Sequence, residues 1–398
     1  MNKTKKKSEK SRKSKKSRKF LKTRKVTSKV RLSSLPTFSF HTKKRELKKQ
    51  HSYLPTFHRQ MTPLGSFSPE RSIIGNEEFI CNDDEIYSAK TKKCYPWNSQ
   101  MAKKIASKNL NSNRKFSVKD IIGPKQVMGN CWLNCFFVIY FISDKGNKFF
   151  RHLRKVMITG KDLDGNPINK KLHRLLFIFN KYIESVIRGK HSKINKTYAL
   201  KIDTNILIKE IYKNILDVNK KLIPNINEAG SVEGFYNGLL NHINIEKKVR
   251  KRFVSDPLLY DHLMGKYTVP ELKKYVEKDL YNSHIIIIKI TNNDTHSVLS
   301  NKYLKNKKKP KEIKIKNRTF VLDSAVLLDN DNQHFSAYLT IDKKEYMFEG
   351  YSYARITPFK WKNKLNSSRS WKTFKSRIFE DNYNNFMKGY QMLYYYRI

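Results

Sequence analysis

An α+β fold is what this chain predicts, and three observations predict it. Helical periodicity runs through 131–142, 168–188 and 202–222; strand-like runs follow at 284–290, 319–328, 334–341 and 345–351; a basic stretch poor in apolar residues precedes both. Helices that come first, with strands grouped behind them, read as a helical lobe packed on a mainly antiparallel sheet lobe.

Residues 1–31, "MNKTKKKSEKSRKSKKSRKFLKTRKVTSKVR", hold too little apolar surface to offset the entropy of ordering, and a disordered tail is expected there. Pro36, Pro55, Pro63 and Pro69 punctuate residues 32–70 as a linker, so 1–70 is one non-globular region. Residues 71–114 form a small unit with Cys81 and Cys94, read as a docking element before the main domain. Its "SAKTKKC" resembles the short two-cysteine adaptor segments that large DNA viruses attach to other domains. Zinc takes four ligands at short spacings, and two Cys without a nearby His speak against it. No metal and no organic cofactor is expected.

The main domain is read as 115–398. Its nucleophile-bearing helix starts near Cys131, and a further helix is expected at Ser231, whose hydroxyl can cap an apolar stripe. Residues 301–317, "NKYLKNKKKPKEIKIKN", read as a charged, solvated loop between strands.

Lys+Arg 83 against Asp+Glu 34 gives a net charge of +49, of which residues 1–50, with 21 Lys/Arg and 2 Glu, supply +19. The remaining residues still carry +30, so the partners implied by charge are anionic. Residues 1–50 are read as an arm for nucleic acid or an acidic protein, and equally as a nuclear-targeting signal. Four Cys without a dense even spacing suggest free thiols and a reducing compartment. The basic N-terminus lacks the apolar run of a signal peptide, and no stretch reaches the roughly 20 apolar residues that span a bilayer, so no membrane partner is expected.

The chemistry concentrates at "KQVMGNCWLNCFFVIYF", Lys125–Phe141. Asn130 can cap a helix that begins with Cys131, and a thiol at that end meets the positive pole of the helix dipole, which favours the thiolate. Trp132, Phe136 and Phe137 bury the helix, and Cys135, one turn on, reads as packing. A cysteine nucleophile needs an oxyanion donor and an imidazole held by a third group. Gln126, across a Gly-containing turn, suits the first role, and His334, opening a strand, suits the second. A two-residue turn at Asp342-Lys343 pairs 341 with 344 and 336 with 349, which puts Glu349 diagonal to His334 on one face. Glu349 is therefore the orienting candidate, with Asp323 and Asp342 as alternatives.

These residues resemble the papain-like cysteine peptidases, which place Gln shortly before a "G-x-C-W" and His later at a strand start. "GNCWLNC" is also similar to the cysteine box of ubiquitin-specific proteases and to the "G-D-C-W" of calpains. "LDSAVLLDNDNQHFSAYLTIDKKEYMFEG" resembles the end of thiol proteases attributed to giant DNA viruses of mimivirus type. The resemblance covers about 115–365 and implies a papain-like fold, with Cys131 as nucleophile, His334 as base, Gln126 as oxyanion donor and Glu349 as orienting residue. His334 lies 203 residues after Cys131, against about 130–150 in papain relatives. That implies a helical insertion near 160–225. A peptidase acting on viral structural proteins, in the virion or host cytoplasm, follows from the likeness. A protease of ubiquitin-like conjugates and a non-enzymatic basic virion or nucleic-acid-binding protein are the rivals.

Overall fold

The computed structural model describes residues 81–112, 117–124, 126, 130–162, 164–215, 285–290, 309–315, 317–329, 334–350, 356–372, 383–386 and 390–398. All of them belong to one compact unit, Thr62–Ile398. The expected tail and linker, the end of the third predicted helix and the helix start at Ser231 lie outside the described residues.

Two lobes share one core. The helical lobe holds α1 (Gln100–Asn111), α2 (Cys131–Phe141), α3 (Asp144–Phe149), α4 (Arg151–Thr159), α5 (Lys170–Ile187), α6 (Lys193–Lys201) and α7 (Thr204–Ile215). A hairpin, β1 (Glu85–Ser88) and β2 (Lys93–Pro96), precedes α1. The sheet lobe holds β3 (Ile285–Ile290), β4 (Glu312–Ile315), β5 (Arg318–Asp329), β6 (His334–Ile341), β7 (Lys344–Glu349), β8 (Ile356–Pro358) and β11 (Gln391–Arg397), in the order β3-β11-β5-β6-β7-β8 with β4 on β5. Every one of these pairings is antiparallel. A small pair, β9 (Trp371–Lys372) and β10 (Tyr383–Asn384), forms a second ladder that packs on the main sheet.

The α2 sequence is apolar on every side, and a helix of that kind must be buried all round. All eleven of its residues are. One side of α2 packs on β6, where Phe335, Ala337, Leu339 and Ile341 alternate onto the same face, and its other neighbours include Leu176, Phe179 and Tyr182 of α5. Each fully buried aromatic or leucine here contributes about 1.5–3 kcal/mol, so α2 is held firmly in place. The opposite face of the sheet carries a second core, with Tyr338, Met347 and Leu393 under Trp361, Trp371 and Phe386.

Three expectations need correction. Residues 309–315 are not a solvated loop: Lys309 is buried, and β4 pairs with β5 from Glu312↔Val321 to Ile315↔Arg318. The apolar Ile313, buried between charged neighbours, marks the alternation that the charge count obscured. The second correction concerns the free thiols. Cys81 and Cys94 form a disulfide, their Cα atoms 5.5 Å apart: Cys94 stands opposite Tyr87 in the hairpin, and a turn from Asn82 to Glu85 folds Cys81 back to meet it. Only Cys131 and Cys135 are free. Glu85 stands near the two sulfurs, which cannot ligate as thiolates while bonded to each other. The third concerns Asn130 and belongs to the site.

The hairpin is fastened to the helical lobe. Arg174 Nε donates to Asp84 Oδ2 at 2.8 Å, Lys181 Nζ donates to the Asn82 carbonyl at 2.8 Å, and Tyr198 donates to the Asp83 carbonyl. Burial pushes the Lys181 ammonium down to about 7 against the pull of Asp83 and Asp84.

Candidate functional site

Cys131 is the first residue of α2. The first turn of any helix leaves backbone N–H groups without intrahelical partners, and there they surround the Cys131 end. Asn130 holds the N-cap position but makes no side-chain cap. Its amide instead donates to Thr204 Oγ1 at 3.0 Å, and its Oδ1 accepts from Asn134 Nδ2 at 3.2 Å. Asn130 thus ties the start of α2 to the start of α7, its oxygen taken by the Asn134 side chain of its own helix rather than by a first-turn N–H.

The β6–β7 hairpin brings the other groups to Cys131. Its register runs from Ile341↔Lys344 to Ser336↔Glu349, as the two-residue turn requires. Asp342 and Lys343 take left-handed φ values of 47° and 62°, the backbone of a type I′ turn. The Asp144 carboxylate accepts from both turn N–H groups, at 2.8 and 2.9 Å. A side chain from the helical lobe therefore holds the turn that sets the register.

At the other end of that hairpin, His334 Nε2 lies 3.0 Å from Glu349 Oε1. His334 is also hydrogen-bonded to Cys131, and with Nε2 committed to Glu349 the nitrogen left to the thiol is Nδ1. Burial disfavours the imidazolium, but the hydrogen bonds and charges of Cys131 and Glu349 outweigh it and raise the His334 pKa to about 9. The imidazole is held protonated at neutral pH. Cys135 lies one turn deeper, and burial pushes its thiol well above the ordinary range, with the charges of Cys131 and Glu349 acting in the same direction. It remains a packed thiol.

Gln126 lies against Gly350, the residue after Glu349. A Cβ at 350 would stand 3.0 Å from both Gln126 Cβ and Oε1, so a side chain there would push the amide by a few tenths of an ångström. Cys131, His334 and Glu349 form one chain of contacts, and Gln126 borders it. The two alternative acids are elsewhere. Asp342 is at the far end of β6, in the turn. Asp323 sits at a β-bulge, skipped where Tyr394↔Ser324 gives way to Tyr395↔Leu322, and accepts from the Lys145 N–H at 3.3 Å. Burial raises its carboxyl to about 6.

Two residues that sequence reasoning passed over support the site. Ser336 shares a face with His334 and stands directly opposite Glu349, and Asn384 Nδ2 donates to its Oγ at 2.8 Å. Period two along β6 carries the signal for Ser336; nothing local marks Asn384. The group is enclosed: Cys131 is 5 %, His334 1 % and Glu349 2 % exposed. Chemically, the arrangement can bring a thiol against an imidazole oriented by a carboxylate, in an enclosed position.

No family model matches the chain, and no curated protein matches it. Among solved structures, it is similar to a chain of the Ubp8–Sgf11–Sgf73–Sus1 SAGA DUB module at 8 % identity and a TM-score of 0.36, over 79 % of this chain and 78 % of that one. No helix among the described residues is long and apolar enough to cross a membrane.

Proposed function

We propose that the chain is a cysteine peptidase of the papain-like kind, hydrolysing peptide or isopeptide bonds through Cys131 and His334. The observation that carries this reading is the contact chain Cys131–His334–Glu349, assembled from residues 203 positions apart, with His334 Nε2 3.0 Å from Glu349. A merely structural buried histidine does not need both a helix-terminal thiol and a carboxylate.

In the proposed reaction the Cys131 thiolate attacks the carbonyl carbon, and the negative charge moves to the carbonyl oxygen. The Gln126 amide and the Cys131 backbone N–H are the donors for that oxygen. The imidazolium of His334 gives its proton to the leaving amine as the C–N bond breaks, leaving a thioester. Neutral His334 then takes a proton from water, which attacks the thioester; collapse releases the acid and returns thiolate and imidazolium. Glu349 keeps the ring aligned and its charge balanced throughout. Because the sulfur and ring are enclosed, neighbouring chain must move aside to admit a protein substrate.

The substrates this implies are proteins: viral structural proteins by the resemblance, or conjugates of ubiquitin-like modifiers. The test is labelling with iodoacetamide at neutral pH and with a ubiquitin-derived active-site probe. Selective alkylation of Cys131 over Cys135, abolished in His334→Ala, supports the peptidase. Capture of the ubiquitin probe by Cys131 assigns the modifier-directed substrate class. Equal reactivity of both free cysteines, unchanged by His334→Ala, ends the reading and leaves a non-enzymatic basic protein.

A further inference from the structure

We propose that the adjoining faces of α1 and α4 form a docking surface for nucleic-acid phosphates, built into the folded domain and separate from the basic N-terminal stretch. The two helices together hold Lys103, Lys104, Lys108, Arg151, Arg154 and Lys155 and not one Asp or Glu. Arg154 is turned inward onto Asn180 and Glu184. The others remain at the surface.

A hydrogen bond joins the two faces. Arg151 donates to Asn111 Oδ1 at 2.7 Å, linking the start of α4 to the end of α1. Lys108 and Lys104 lie one and two turns before Asn111 on the same side of α1, and Lys155 lies one turn after Arg151 on the same side of α4. Lys104, Lys108 and Lys155 are exposed. The four cations therefore make one cluster. Among the described residues none of them is paired with a carboxylate; Glu184, which receives Arg154, is shared with Arg188. Elsewhere in the lobe Asp144 is spent on the β6–β7 turn, Asp162 on its own loop and Asp203 on the start of α7, while Asp84 and Glu210 pair with Arg174 and Lys213.

The chemistry of this surface suits phosphate rather than protein. Protein interfaces are depleted in Lys and anchored by aromatics, whereas the one large apolar side chain exposed on either helix is Met101. Lysines four apart on a helix advance about 6 Å along its axis, close to two axial rises of one strand of a duplex at about 3.4 Å each. With no exposed aromatic to stack a base, binding is expected to be independent of sequence.

The experiment uses the full chain carrying Cys131→Ala, which separates this proposal from the peptidase reading. A triple variant, Lys104→Glu/Lys108→Glu/Lys155→Glu, is compared with Lys314→Glu/Lys344→Glu/Lys360→Glu on the sheet lobe, which changes net charge equally. Fluorescence anisotropy with a random-sequence single strand is followed against salt. The expected result is a drop in the log–log salt slope of about 2 for the helix triple, three lost phosphate contacts at about 0.7 each, and little change for the sheet triple. Equal changes in both would overturn the proposal, since bulk charge or the basic arm would then explain all binding. So would loss of poly-glutamate binding in the helix triple with its nucleic-acid slope intact, which would assign the face to an acidic protein.

Discussion

The two pairs of cysteines in this chain meet opposite fates. Cys81 and Cys94, thirteen residues apart, close a local hairpin that is covalently bonded and fastened to α5 and α6. Cys131 and Cys135, four apart on one helix, stay as thiols, and only Cys131 meets His334. The same side chain is a staple in one place and a candidate nucleophile in the other. What separates them is what the fold delivers: a second sulfur at 5.5 Å between Cα atoms in the first case, an imidazole and a carboxylate from a distant hairpin in the second.

Substitutions sharpen that contrast, and the largest effect is expected at the sulfur itself. Cys131→Ala should lower peptide-bond hydrolysis by at least about 10⁴-fold without moving the melting temperature by more than a few degrees, as read by turnover and thermal unfolding. Glu349→Gln should cost about 10³-fold in kcat/KM, because the ring loses its orientation and its countercharge. The same variant should also move the alkaline limb of the pH–rate profile down from about 9. The sign for stability comes from the raised His334 pKa. Its contribution is full below about 6.5 and is lost as pH rises through about 9. In Glu349→Gln that alkaline loss of stability should shrink; an unchanged profile would detach Glu349 from His334.

Breaking the other pair tests the local side of the contrast. Cys81→Ser with Cys94→Ser should cost about 3 kcal/mol of stability by the loop-entropy argument, seen in denaturant unfolding, with hydrolysis little altered. Thr204→Val leaves the Asn130 amide without its 3.0 Å partner. It should cost about 1–2 kcal/mol and lower kcat more than it raises KM, since α2 would be less firmly placed. Smallest of all, Lys343→Gly should stabilise the protein by about 1 kcal/mol, because glycine relieves the left-handed φ of 62°; a loss of stability there would show that the turn carries no backbone strain.

Much of this was legible because it is local. The apolar run of α2, the stripe of α5 and the strands on either side of Asp342-Lys343 each follow from neighbours a few residues apart. The placing of Glu349 diagonal to His334 follows too, once the turn has two residues. The illegible parts share a different character. Asn130 looked like a cap and became a tie to Thr204, 74 residues on. Lys309–Ile315 looked solvated until β5 offered a partner, and β11, the central neighbour of β3 and β5, was not singled out at all. Asp323 is set aside from His334 by the β5–β6 register, which puts Asp329 opposite His334 and Asp323 six residues further along the strand.

The sequence by itself determined the α+β class, the start of the buried helix at Cys131 and the hairpin register that aligns Glu349 with His334, because dihedral preference and side-chain alternation act over a few residues. Only the tertiary structure decided that the two cysteines of the first hairpin bond to each other, that Asp144 clasps the β6–β7 turn and that His334 reaches Cys131. Those outcomes depend on which apolar faces bury one another, and that selection is made by the whole core at once.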